Sequence, residues 1–234
     1  MLSTVLVVVT FAAMVQTALG MGFGLTAAPV LALIDPVLVP VPALYIGTAT
    51  ALAATLNERS AVVWSEVKTG TIGRLTGTVC GAILLLQMTS RETFSLLFGM
   101  VILLAVVLSI AGWRLEITVR NLLSMGFISG FTGVITSVGA PPLALIYQHR
   151  PANPTRATLS AFFAIGGMAS LLILNAVGWG RLTHLWLALM MAPAALLGSW
   201  IGRRVRGKFD RRYRVFLLMI ATVASLLLIQ RGLG

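Results

Sequence analysis

Two short stretches of this chain carry the residue types that could do chemistry inside a membrane. Gly20, Gly22 and Gly24 are followed by Pro29, and Gly133 and Gly139 are followed by Pro141. Glycine lowers helix propensity, and proline removes an N–H and clashes with the preceding turn, so a helix is expected to break near each cluster. A helix that starts afresh at such a break presents N–H groups with no acceptor and a partial positive charge. Two such ends facing one cavity would suit an anion without a buried lysine or arginine.

Polar side chains gather beside the breaks: Gln16, Thr17 and Thr26 at the first, Ser129, Thr132, Thr136 and Ser137 at the second. Hydroxyls and amides can donate to an anion, and they can equally satisfy the backbone carbonyls that a break sets free. Arg156 is the basic residue expected to reach such a cavity, with snorkelling to the interface as its alternative use. The candidate binding set is therefore Gln16, Gly20, Gly22, Gly24, Thr26, Pro29, Gly133, Thr136, Ser137, Gly139, Pro141 and Arg156.

Other chemistries find little support. His149 and His184 fall in different connections, and Asp35, Glu58, Glu66, Glu92, Glu116 and Asp210 all lie near expected helix ends. No catalytic constellation, metal site or cofactor is expected from them. Cys80 is the single cysteine and reads as a small residue within a helix. The net charge of +11 does not point to nucleic acid, because the basic residues fall between apolar blocks rather than along one interleaved face.

The elements that hold these residues follow from composition. Hydrophobic residues make up 58% of the 234 residues and charged ones 10%, with a mean hydropathy of +0.99. A soluble fold would leave large apolar patches exposed, so the solvent must be lipid. The expected class is an all-α, multi-pass membrane protein with about eight transmembrane helices, near 3–25, 37–57, 68–88, 93–112, 117–138, 157–178, 183–202 and 213–230. The first basic residue is Arg59, so the first window lacks the charged start of a signal peptide and is expected to remain as a span.

The broken windows are the first and the fifth, and they resemble each other. Ala28-Pro29-Val30-Leu31 matches Pro141-Pro142-Leu143-Ala144, with Gly20 opposite Gly133. Gly73, Gly77 and Gly81 match Ala194, Gly198 and Gly202, ladders of small residues that let helix backbones approach closely. The expectation is one membrane domain built as two four-helix repeats, 1–112 and 113–234. The ladders serve seams within the chain or, alternatively, a homodimer.

The dense basic loop 203–214 is expected to be cytoplasmic. With eight crossings, that assignment sends Arg59, Lys68, Arg114 and Arg120 to the opposite face and keeps Arg91, Arg150 and Arg156 with the loop, so the charges conflict. Arg74, deep in the third window, counts poorly as a loop charge.

The run Gln16-Thr17-Ala18-Leu19-Gly20-Met21-Gly22-Phe23-Gly24-Leu25 with Pro29, and Gly126-Phe127-Ile128-Ser129-Gly130-Phe131 with Gly133, resembles the TauE/SafE family of sulfite exporter-like permeases. Ser137-Val138-Gly139-Ala140-Pro141-Pro142-Leu143, Asn57 and Trp64 extend the resemblance over the whole chain. One departure is Gly139-Ala140-Pro141-Pro142 where many relatives carry Gly-Gly-Pro-Pro. The resemblance implies movement of sulfite, sulfonates or other small organic anions across a bacterial inner membrane. An uncoupled anion channel and a non-transporting membrane scaffold are the alternatives.

Overall fold

The computed structural model describes residues 1–88, 90–111, 115–206 and 211–233, without the side chains of 211–216. Among the described residues the fold is all helical. Helix α1 (Leu2–Leu19) ends where Gly20 takes φ 79° and returns its N–H to the Gln16 carbonyl. Gly22, at φ 109°, then starts α2 (Phe23–Ile34). Both glycines sit in the left-handed region that a side chain disfavours, so the break is written into their backbones. Pro29 lies inside α2 rather than at the break, and its missing N–H frees the carbonyl of Leu25 one turn earlier.

The second break repeats this construction. Helix α6 (Val119–Thr136) ends at Ser137, which takes φ 65° and donates its N–H to the Gly133 carbonyl, and Gly139 precedes α7 (Ala140–Tyr147). The structural partner of Gly20 is therefore Ser137, and that of Gln16 is Gly133. The sequence match had set Gly20 opposite Gly133, one helical turn away, because the apolar runs after the breaks align better than the caps do.

The remaining helices are α3 (Val41–Asn57), α4 (Trp64–Leu86), α5 (Arg91–Ala111), α8 (Ala152–Ala176), α9 (Leu182–Arg204) and α10 (Arg211–Leu233). A 3₁₀ turn at Pro36–Leu38 leads into α3, capped by Asp35, which accepts from the Val37 N–H at 3.0 Å. Among the described residues six segments are long and apolar enough to span a bilayer: Leu2–Leu19, Pro36–Asn57, Trp64–Leu86, Arg91–Ala111, Ala152–Ala176 and Leu182–Arg204. Eight equal crossings do not follow from this. Exposed large side chains such as Val7, Leu56, Ile72, Leu172 and Leu196 form the surface that lipid covers.

The ladders of small residues are seams within the chain. A Cβ added at Gly73, Gly77 or Gly81 would strike the backbone of Leu123, Phe127 or Phe131 on α6, and one at Gly198 or Gly202 that of Thr10 or Met14 on α1. The first helix of each half thus packs on the fourth helix of the other, in parallel. The spacing from Thr10 to Phe127 equals that from Gly20 to Ser137, so the seams and the breaks share one register.

These contacts also set the direction of each helix. Glu58, after α3, pairs with Arg156 of α8 and with Arg206 after α9. Glu66 of α4 pairs with Arg150 and accepts from Tyr147 at the end of α7. At the other end, Arg231 of α10 donates to the Leu33 carbonyl of α2, and Phe94 packs on Trp179. Hence α2 turns back toward the end from which α1 came, and α7 turns back toward the start of α6. The two helical hairpins enter from opposite ends.

This corrects the expected distribution of charge. Arg59, Lys68, Arg120, Arg150, Arg156, Arg203, Arg204 and Arg206 share one end, hereafter the basic end, while Arg91 joins Arg181, Arg231, the start of α1 and the end of α10 at the other. The conflict arose because each hairpin, counted as a single crossing, inverted the assignment of every later loop. Lys208, Arg211, Arg212 and Arg214 of the basic loop, and Arg114, lie outside the described residues or side chains.

Candidate functional site

The two breaks meet in the interior. A Cβ on Gly24 would fall on the Ser137 carbonyl. Between them lies a cavity of about 40 Å³ whose lining includes Gln16, Gly22, Gly24, Ser137, Gly139 and Arg74. The starts of α2 and α7 both border it; α2 contributes first-turn N–H groups, that of Phe23 being taken by Gln16, whereas Pro141 and Pro142 leave only the N–H of Ala140 in the first turn of α7.

Arg74 dominates the electrostatics of this space. It lies ten residues into α4, is 3% exposed, and its Nη1 donates to Ser129 Oγ at 3.0 Å. Ser129 in turn donates to the Gly139 carbonyl at 2.6 Å, which ties the guanidinium to the second break. The guanidinium carbon stands 5.1 Å from the Phe162 ring centre and 5.2 Å from that of Phe163. Its Nε has no hydrogen-bond partner.

No carboxylate pairs with Arg74 among the described residues. The ion pairs there are Glu66–Arg150, Glu58–Arg156 and Glu58–Arg206, all at the basic end. Two aromatic faces and one hydroxyl compensate only part of the cost of burying a guanidinium. Its planar array of donors is suited to an oxyanion. Absence of a side chain at Gly166 makes room for it, since a Cβ there would overlap the guanidinium stem.

The expected site residues divide by role. Gln16 staples the first break, with Nε2 donating to the Gly20 carbonyl at 3.2 Å and Oε1 accepting from the Phe23 N–H at 3.1 Å. Ser137 lines the cavity and donates to the Pro40 carbonyl at 2.9 Å. Thr26 donates back to the Gly22 carbonyl, and Thr136 to that of Thr132 while accepting from the Val138 N–H, so both spend their hydroxyls on backbone. Gly133 sits behind the cavity near Arg74, Pro29 and Pro141 are buried within α2 and α7, and Gly20 passes against the Arg156 backbone.

The Arg156 side chain is directed elsewhere. Its Nε binds Glu58 at 2.8 Å and its Nη2 binds Asn153 at 2.7 Å, at the basic end. The cavity's cation is Arg74, absent from the expected set. A signal for it was present: Arg74 follows Gly70 by one turn and adjoins Gly73, on the buried small-residue face of α4.

Comparison with known proteins agrees with the residue pattern. No curated protein and no solved structure matches the chain. The model of the sulfite exporter TauE/SafE family matches residues 5–228, nearly the whole length. With that extent of match over an all-helical membrane fold, the chain belongs to the TauE/SafE sulfite exporter family, a family of membrane permeases.

Proposed function

We propose that this permease carries a small anion across the membrane, binding it between the starts of α2 and α7 against the guanidinium of Arg74. The observation that carries this reading is the buried Arg74, which has a hydroxyl and two aromatic rings for company and no carboxylate among the described residues. A substrate anion completes that balance. Gln16, Gly22, Gly24, Ser137 and Gly139 form the wall, and Gly20, Thr26, Pro29, Gly133, Thr136 and Pro141 shape the breaks behind it. Arg156 acts at one end of the pathway.

The substrate is sulfite, a sulfonate or another small organic or sulfur-containing anion. The cavity of about 40 Å³ favours the smaller members, since a single water needs roughly 10–15 Å³ by the same measure. The two oppositely entering hairpins suit alternating access by rocking one half against the other, and a duplicated ancestor explains the shared register. By the positive-inside tendency the basic end is cytoplasmic, in a bacterial inner membrane. No catalytic step and no cofactor is proposed.

The decisive measurement is flux into proteoliposomes offered sulfite, thiosulfate, ethanesulfonate and small carboxylates. If well-folded protein neither moves nor binds any of them, the proposal is wrong. An uncoupled pathway is the second reading, favoured by the lack of a carboxylate on the cavity wall. Accumulation of substrate against its own electrochemical gradient would eliminate it.

A further inference from the structure

The end of the molecule opposite the basic end holds a much larger space than the central cavity. A basin of about 490 Å³ opens there, lined in part by Pro40, Val41, Arg91, Trp179, Arg181 and His184. Arg91 and Arg181 start α5 and precede α9, helices far apart in sequence, yet they converge on one concave surface. His184 Nδ1 is shielded from solvent and has no hydrogen-bond partner. The one carboxylate on the wall, Asp35, has an oxygen engaged by the Val37 N–H.

The basin and the central cavity are lined by neighbouring residues of one helix. Pro40 and Val41 border the basin, and Ala43 and Leu44, next on the same helix, border the central cavity. Ser137, on the wall of the central cavity, donates to the carbonyl of Pro40 on the wall of the basin, so the two walls share a hydrogen bond. At the opposite end Glu58 bridges Arg156 and Arg206, and Glu66 holds Arg150 and Tyr147.

Topology does not account for these arginines. Basic residues are disfavoured on the face opposite the main positive cluster, and the only other arginine described at this end, Arg231, spends its guanidinium on the Leu33 carbonyl. Two exposed cations in a low-dielectric basin would raise the local concentration of anions well above that of bulk solution.

We infer that this basin is a second anion site, an outer vestibule in which Arg91, Arg181 and His184 hold a small oxyanion or halide before it enters, or after it leaves, the Arg74 site. The inference rests on the proposed anion pathway, but its test is separable. Trp179 on the wall reports on the basin by fluorescence, isolated by subtracting the signal of Trp179→Phe. Iodide is an anionic quencher and acrylamide a neutral one.

In the vestibule reading, iodide quenches Trp179 strongly at low salt, and Arg91→Gln with Arg181→Gln lowers the iodide quenching constant by about threefold or more while acrylamide quenching is unchanged. Arg91→Lys with Arg181→Lys keeps the charge and retains most of the iodide effect. In sulfite uptake from the same face, the Gln pair raises KM by about threefold or more and leaves kcat within about twofold, because the central site is untouched. Equal iodide quenching in wild type and in the Gln pair overturns the vestibule whatever the substrate is. Loss of iodide quenching in the Gln pair with no flux of any anion in wild type instead retains the anion site at Arg91 and Arg181 and overturns its role as a vestibule together with the transport reading.

Discussion

Arg74 sets up a conflict between stability and function that substitutions can expose. Removing an incompletely compensated buried charge relieves its desolvation cost, so Arg74→Met should raise the melting temperature of the purified protein in anion-free buffer, while abolishing flux. Arg74→Gln should weaken binding of the transported anion by about 30–150-fold, the worth of a charged hydrogen-bonded contact of roughly 2–3 kcal/mol. Arg74→Lys should keep part of the affinity, since a point charge replaces a planar fork. Equilibrium binding and melting curves of the three variants check these outcomes together. An Arg74→Met protein that transports normally would remove Arg74 from the site.

Gly166 and Ser129 act on the same guanidinium from two sides. A methyl at Gly166 overlaps the Arg74 stem, so Gly166→Ala should displace the guanidinium and lower affinity without changing net charge. Ser129→Ala removes both the acceptor for Nη1 and the donor to the Gly139 carbonyl, and the loss should be about 1–2 kcal/mol in stability, read by thermal unfolding.

At the scale of elements, the breaks and the seams fail in different ways. Gly22 is left-handed and Gly139 lies 2.7 Å, measured from an added Cβ, from the Ser129 carbonyl, so Gly22→Leu or Gly139→Leu should stop flux by filling or distorting the cavity mouth. Both variants should remain folded, because the lipid-facing helices are untouched. Gly77→Leu, by contrast, drives a side chain into the Phe127 backbone at the centre of the α4–α6 seam. Its cost should be 1–3 kcal/mol or more, read as lowered resistance to thermal unfolding in detergent.

At the scale of the whole molecule, two helical hairpins entering from opposite ends put the start of α1 and the end of α10 on the face away from the basic end. A reporter that is active only outside the cytoplasm, fused after Gly234, should therefore be active, while the same reporter in the Arg59–Trp64 connection should be silent. The reverse pattern would invert the proposed orientation. The ion pairs at the basic end make a second prediction. Glu58→Gln removes the negative charge and one of the two oxygens that hold Arg156 and Arg206, and it should destabilise the protein by about 3 kcal/mol, read by thermal unfolding in detergent.

Much of this protein is legible without its fold. Long apolar windows and the scarcity of charge dictate a helical membrane protein, because lipid accepts only backbones that satisfy their own hydrogen bonds. Gly20 and Gly22 mark the first break by conformational preference alone, and the glycine spacing of α4 and α9 marks the seams. Gln16 and Ser137 could be placed at the breaks from their positions in the chain. These are local properties, fixed within a turn or two of helix.

What tertiary structure decided is everything that depends on where a helix goes after it breaks. Hydropathy cannot distinguish a chain that resumes its crossing from one that turns back, since the apolar content is the same. The turn is set by left-handed backbone at Gly20 and Ser137 and verified only by partners far away in sequence, Leu33 with Arg231 and Glu58 with Arg156. With the reversal in place, the basic residues collect at one end and Arg156 is drawn to Glu58. Arg74, rather than reaching for the interface, is turned into the space between two broken helices, because its face of α4 is the one that packs on α6.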